Sequence, residues 1–182
     1  MDNFLKRINL IQPFSFNLNT NKTDFVNNLR RNVDLKDIDG MFSTMFEVFE
    51  KSENTLKGSV SFNEFSLKKR QRFFDRKAGL AKAIGQYDMK GEKLQISGYI
   101  KAWSNFMYFF FAFLLLFYTI FIFGFFLNVK FTENTYIPVI FIIIHALFMI
   151  GIPYYLLKSS IKDLKKEIER EFHFIVSKNI NI

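Results

Sequence analysis

Polar and apolar positions alternate through much of the first hundred residues, and then the alternation stops. Phe14-Ser15-Phe16-Asn17-Leu18 has the strict two-residue period of a half-buried strand. Asn19–Thr23 reads as a turn, and Thr23 or Asp24 is placed to cap a helix bearing Phe25, Leu29 and Val33 at four-residue spacing. Residues 34–40 read as a loop. Two periods compete between Met41 and Lys51: Met41, Met45 and Phe49 fit a helix, while Phe46, Val48 and Glu50 fit a strand. A strand over 46–51 is preferred, because sheet-like segments follow. Leu56–Phe62 alternates through Gly58, Val60 and Phe62, and Phe65 and Leu67 resume the pattern. Ala78–Tyr87 sets Ala81, Ala83 and Gly85 on one face, with Leu80, Lys82 and Ile84 on the other. After a turn at Lys90-Gly91, residues Leu94, Ile96, Gly98, Ile100 and Ala102 alternate up to the first uncharged stretch. The expectation for residues 1–103 is a β-rich domain: one helix with a bent antiparallel sheet or small barrel of roughly five to seven strands.

No charged residue occurs from Ala102 to Val129 or from Thr135 to Leu157. Phe106–Leu127 is apolar on every side, and its 22 residues would reach about 33 Å as a helix, the thickness of a bilayer's hydrocarbon core. The short link between the runs predicts an antiparallel hairpin of two spans, about 106–127 and 136–157. Trp103, Tyr108, Tyr136, Tyr154 and Tyr155 fall where interfacial aromatic rings belong. Pro138 lies in the first turn of the second span, and Pro153 near its end suggests a kink. The fold class expected is therefore an α+β membrane protein, with domain 1–103, hairpin 104–157 and tail helix 158–182.

In that tail, Leu157, Ile161, Leu164, Ile168, Phe172 and Ile175 repeat at spacings of three and four, one stripe of an amphipathic helix. Three roles fit it: packing on the chain's own β-rich domain, a self-association seam, or contact with the bilayer surface.

Charge adds an orientation. Residues 1–103 hold 18 of the 25 Lys and Arg, the loop 128–134 holds one (Lys130), and the tail from Lys158 holds six. Positive charge is retained on the cytoplasmic side, so both termini are expected there and 128–134 outside. Met1–Arg7 has no apolar signal region, so a cleaved secretion signal is not expected. The chain has no Cys, which excludes disulfides, thiolate metal sites and cysteine nucleophiles.

The densest basic run includes Lys68, Lys69, Arg70, Arg72, Arg76 and Lys77. Such cations suit an anionic lipid headgroup or a nucleotide, against the simpler reading of a solvated basic hairpin. Phe73 and Phe74 within it could stack on bases, but no nucleic-acid motif surrounds them, so nucleic acid is disfavoured. His145 stands mid-span, where an imidazole must face a partner helix, a water-filled cavity or a neighbouring subunit. Tyr108, Tyr118, Thr119 or the backbone could take its hydrogen bond, and a proton or ion path is the sharper alternative, although no Asp, Glu, Lys or Arg shares the two runs to extend a relay. Gly79-Leu80-Ala81-Lys82-Ala83-Ile84-Gly85 is not a phosphate-binding loop. Its small residues suit close packing or room for a neighbouring Phe, and less well a backbone that approaches a ligand. No His-Glu-x-x-His, Gly-x-Ser-x-Gly or Gly-x-Gly-x-x-Gly is present. A metal site, a cofactor and enzymatic activity are not expected.

Lys57-Gly58-Ser59-Val60, Phe65-Ser66-Leu67, Ala83-Ile84-Gly85 and Leu94-Gln95-Ile96, set before a two-span hairpin, resemble a set of uncharacterised small bacterial two-span membrane proteins with a β-rich cytoplasmic domain. The resemblance implies the bacterial inner membrane. The plan is also similar to two-span effectors of nucleotide-signalled bacterial defence, with the order of spans and β domain reversed. Three functions follow as expectations. The first is a non-enzymatic membrane protein whose β-rich domain binds a partner or anionic ligand and couples it to the hairpin. The second is an oligomerising, membrane-disrupting defence effector. The third is an accessory subunit of a larger membrane complex.

Overall fold

The computed structural model describes residues 2–36, 38, 54–70, 79–128 and 136–180. They form α1 (Asp2–Arg7), β1 (Ile11–Leu18), α2 (Lys22–Asn32), β2 (Val33–Leu35), β3 (Leu56–Val60), β4 (Glu64–Lys69), β5 (Lys82–Lys90), β6 (Lys93–Lys101), α3 (Asn105–Asn128) and α4 (Tyr136–Ile180). The chain divides into two compact units, residues 1–102 with 156–182, and residues 103–155.

The first unit is built on an open six-stranded sheet in the order β1-β6-β5-β4-β3-β2. Four neighbouring pairs are antiparallel, as the alternating segments and short turns predict. The fifth is not: β2 runs parallel to β3, with Val33 opposite Leu56. The four-residue spacing puts Val33 on the helix and leaves 34–40 as a loop. The helix instead ends at Asn32, and Val33 turns extended, with φ −121° and ψ 134°. A three-residue strand with one buried apolar side chain carries too little periodicity to be seen. Two further corrections concern helices. A short α1 precedes the first strand, so the unit has a second N-terminal helix. The cap of α2 is Asn21, not Thr23 or Asp24; its side chain accepts from the Thr23 N–H at 2.8 Å. The strand expected at 46–51 lies outside the described residues.

One sheet face is apolar. Phe14, Phe65, Leu67, Ala83, Tyr87, Leu94, Ile96 and Ile100 are buried there. Helix α2 contributes Phe25, Val26 and Leu29 to the same core. So does the second half of α4, in which all six stripe residues from Leu157 to Ile175 are buried. Phe172 stands at its centre. Its ring meets Phe16, Phe25 and Phe65 edge-on at centroid distances of 5.7, 5.2 and 5.8 Å. Phe65 and Phe25 also touch Tyr87, at 5.2 and 5.9 Å. These tilted arrangements favour the ring quadrupoles. Of the three roles open to the stripe, the core of its own unit occupies it, which withdraws it as a self-association seam or bilayer contact.

Gly85 and Gly98, directly opposed on β5 and β6, make space for this cluster. A side chain on Gly85 would collide with the Phe65 ring, and one on Gly98 with the Ile84 carbonyl and the Phe14 ring. The small residues of β5 therefore serve packing. Gly91, at φ 62°, opens the turn that joins β5 to β6.

The second unit holds α3 and the first part of α4. Both helices are long and apolar enough to cross a membrane. Their large side chains point outward: Phe109 is 71% exposed and Leu115 is 72% exposed. Three residues, 102–104, lie between β6 and α3, and α4 runs unbroken through Pro153 from this unit into the core of the other.

Candidate functional site

The polar face of the sheet, opposite the aromatic core, brings four lysines into one line. Lys57 on β3 pairs with Lys68 on β4, Lys68 with Lys82 on β5, and Lys82 with Lys101 on β6. Asp34 on β2 is the next residue in the row, beside Lys57. Like charges directly opposite each other repel, and four in succession raise the local positive potential. Lys57 is only 1% exposed. Lys68 Nζ donates to the Ile38 carbonyl at 2.8 Å. At one end, Lys101 Nζ lies 3.5 Å from the Asp2 carboxylate.

At the other end, Asp34 is held from both sides. Arg70 donates to one carboxylate oxygen at 2.6 Å, and Asn54 to the other at 2.9 Å. Arg70 is 5% exposed, so this pair ties the short β2 to the end of β4. In the row next to the lysines, Ser66 Oγ is buried and has no hydrogen-bond partner among the described residues.

The basic run read from the sequence is thus divided. Strand alternation places Lys68 and Arg70 on the polar face and Lys69 on the opposite side, beside Leu56. Arg72, Arg76 and Lys77 lie outside the described residues. Lys57, Lys82 and Lys101 are far apart in the chain and join this row only through register, which contiguity does not show. The turn at Gly91-Glu92 sets the β5–β6 register, so that pairing was recoverable from turn length.

The second polar feature is in the hairpin. His145 Nδ1 lies 2.7 Å from the Tyr118 hydroxyl, the rings meeting at a centroid distance of 6.0 Å. Phe141, one helical turn before His145, stacks on the imidazole. The Thr119 hydroxyl donates to the Leu115 carbonyl, the usual way a helix satisfies such a group. Tyr108 packs on Trp103. Of the three candidate partners for His145, Tyr118 is the one it meets.

Among the described residues, no group of three or more His, Asp or Glu could hold a metal ion. Among the described residues, the strongly displaced titration is that of Tyr87, whose hydroxyl burial pushes far above its ordinary range, with Arg30 opposing. That group lies in the aromatic core, away from both polar features. Compared with family models, curated proteins and solved structures, the chain matches none of them.

Proposed function

We propose that this chain is a non-enzymatic integral membrane protein, its sheet unit cytoplasmic, which binds an anionic ligand or partner and passes that state to a two-span hairpin. The observation that carries the reading is the pair of connections between the units. Only residues 102–104 separate β6 from α3, and α4 is a single 45-residue helix whose first part is apolar and outward-facing and whose last part fills the sheet's core. A change that shifts β6 or the α4 stripe therefore acts on both span-bearing helices without a flexible linker. The lysine row supports an anionic ligand on the polar face. It ends at Lys101, four residues before the start of α3. Lys82 and Lys101, both half-exposed, are the members of the row that a phosphate-bearing ligand reaches, through charge-assisted hydrogen bonds.

The absence of Cys makes topology directly measurable. Single cysteines at Asn128 and Ser177 are placed in the full chain and exposed to a membrane-impermeant maleimide. Asn128→Cys is expected to react in intact cells, and Ser177→Cys only after permeabilisation. Recovery of the chain in the aqueous fraction, or the reverse labelling, overturns the reading.

A further inference from the structure

The hydrogen-bonding capacity of the Tyr118–His145 pair is only half used. If the Tyr118 hydroxyl donates to Nδ1, the other ring nitrogen, Nε2, carries a proton with nothing to receive it. If Nδ1–H donates instead, Nε2 is a bare acceptor and the hydroxyl hydrogen is left over. Either tautomer leaves at least one group in need of a partner, and among the described residues His145 has no second hydrogen bond. At a protein surface water would supply it. Within hydrocarbon there is none, and an unsatisfied polar group there is strongly unfavourable. Thr119 is already occupied by the Leu115 carbonyl.

A second, independent observation lies on the same helix. Ile144, Leu147, Phe148, Gly151, Ile152 and Tyr155 recur at helical spacing and line an apolar groove of about 450 Å³. A side chain added at Gly151 would meet nothing within 4 Å, so the groove floor is open to close approach. The half-buried residues Val139, Ile142, Ala146 and Met149 occupy a different side of α4. His145, Phe148 and Ile152, spaced three and four apart, share one flank, so the imidazole borders the groove.

We propose that the hairpin pairs with a second copy of this chain through the α4 face that carries His145 and the Gly151 groove, each His145 completing the Tyr118–His145 pair of the other. Depth selects this occupant. Copies inserted in the same orientation are related by rotation about the membrane normal, so a second chain presents its own half-satisfied pair at the same level. A lipid tail would fill the groove but offers no hydrogen-bonding group. Glycine at the floor lets the two helices come close enough for such a bond. The inference rests on the membrane reading above.

The test uses full-length chain in native membranes, with single cysteines and a short bis-maleimide cross-linker. Retention after alkaline carbonate extraction is measured first. Loss from the membrane there rejects the membrane reading and this inference with it. With the chain retained, Phe148→Cys is expected to give cross-linked dimer, and Ile150→Cys, on another side of α4, little. Adding His145→Leu to Phe148→Cys is expected to lower dimer yield about tenfold, and His145→Gln, which keeps a hydrogen-bonding side chain, to restore most of it. Ile152→Cys, on the same flank as His145, repeats the measurement should Phe148→Cys perturb packing. A membrane-retained chain that stays monomeric, cross-links equally at Phe148→Cys and Ile150→Cys, or is indifferent to His145→Leu overturns the proposal. So does cross-linking of His145-flank cysteines to a different protein in place of a second copy.

Discussion

Phenylalanine is used in two opposite ways in this chain. In the sheet unit, Phe172 is 0% exposed and held edge-on by three other Phe rings of the same chain. In the hairpin, Phe109, Phe113, Phe121 and Phe123 point outward and meet no comparable enclosure. In the first case burial drives folding, because the chain itself removes the ring from water. In the second the chain leaves the rings to their surroundings, and a continuous apolar surface of this kind on a water-facing protein would be a liability. The same residue type therefore reports on core packing in one unit and on solvent in the other.

One substitution made in both units separates these roles most strongly. Phe172→Ala is expected to destabilise the sheet unit by about 3 to 5 kcal/mol, because it empties the centre of the ring cluster. Phe109→Ala should leave that unit's stability within about 0.5 kcal/mol. Urea titration of the detergent-solubilised full chain, followed by pulse proteolysis, reads both. Equal effects would mean that the aromatic cluster does not organise the core.

Next in size is a charge on the hairpin. Leu115, 72% exposed near the middle of α3, becomes Asp in this variant. Facing water, Leu115→Asp would change stability by less than about 0.5 kcal/mol. Facing lipid, it costs about 3 kcal/mol of insertion. The fraction of chain retained after carbonate extraction is expected to fall several-fold, while the sheet unit keeps its resistance to proteolysis. Unchanged retention would count against lipid as the surroundings of α3.

What could be read from the sequence differs between the units for a physical reason. A long helix that is apolar on every side is marked by length and composition, both local properties, so α3 and the first part of α4 are visible without tertiary knowledge. The α4 stripe is also local, since Leu157 to Ile175 repeat at helical spacing. Its destination is not local. Nothing near Phe172 in the chain indicates that Phe16, Phe25 and Phe65 will surround it. The sheet sits between these cases. Alternation revealed β1, β3, β4, β5 and β6. It could not reveal β2, which is three residues long and parallel. The polar row suffered most: contiguity drew attention to Lys68–Lys77, whereas the arrangement is made by register among Lys57, Lys68, Lys82 and Lys101. The Asn21 cap was missed because two equally good capping residues follow it. The helix starts where a side chain meets the Thr23 N–H, and propensity alone does not rank the three.

That cap supplies a smaller test within the sheet unit. Asn21→Ala is expected to cost about 1 kcal/mol by leaving the Thr23 N–H without its acceptor. The same urea titration measures it. Asp24→Ala, which alters only the helix's first-turn charge, should cost less, a few tenths of a kcal/mol. Reversal of that order would move the start of α2 back toward Asp24.

The smallest effect at neutral pH, and the most specific at high pH, concerns Tyr87. Its hydroxyl is buried among Phe25 and Phe65 and has no hydrogen-bond partner among the described residues. Removing an unsatisfied hydroxyl costs little, so Tyr87→Phe should be neutral or stabilise by under about 1 kcal/mol at pH 7. Burial raises the pKa in the folded chain, despite Arg30, while the unfolded chain keeps the ordinary tyrosine value near 10. Above that value the unfolded chain releases a proton that the folded chain retains, so unfolding is favoured by rising pH. The wild-type sheet unit is therefore expected to be pH-insensitive through this group below about pH 10 and to weaken steadily above it. Tyr87→Phe should flatten that part of the profile. The hairpin tyrosines provide the contrast, because α3 and α4 hold none of them in the sheet's core. Tyr136→Phe, at an exposed position, should leave the alkaline loss of sheet-unit stability unchanged. If Tyr87→Phe and Tyr136→Phe have the same effect above pH 10, the alkaline transition belongs to surface chemistry and the buried hydroxyl plays no part in it.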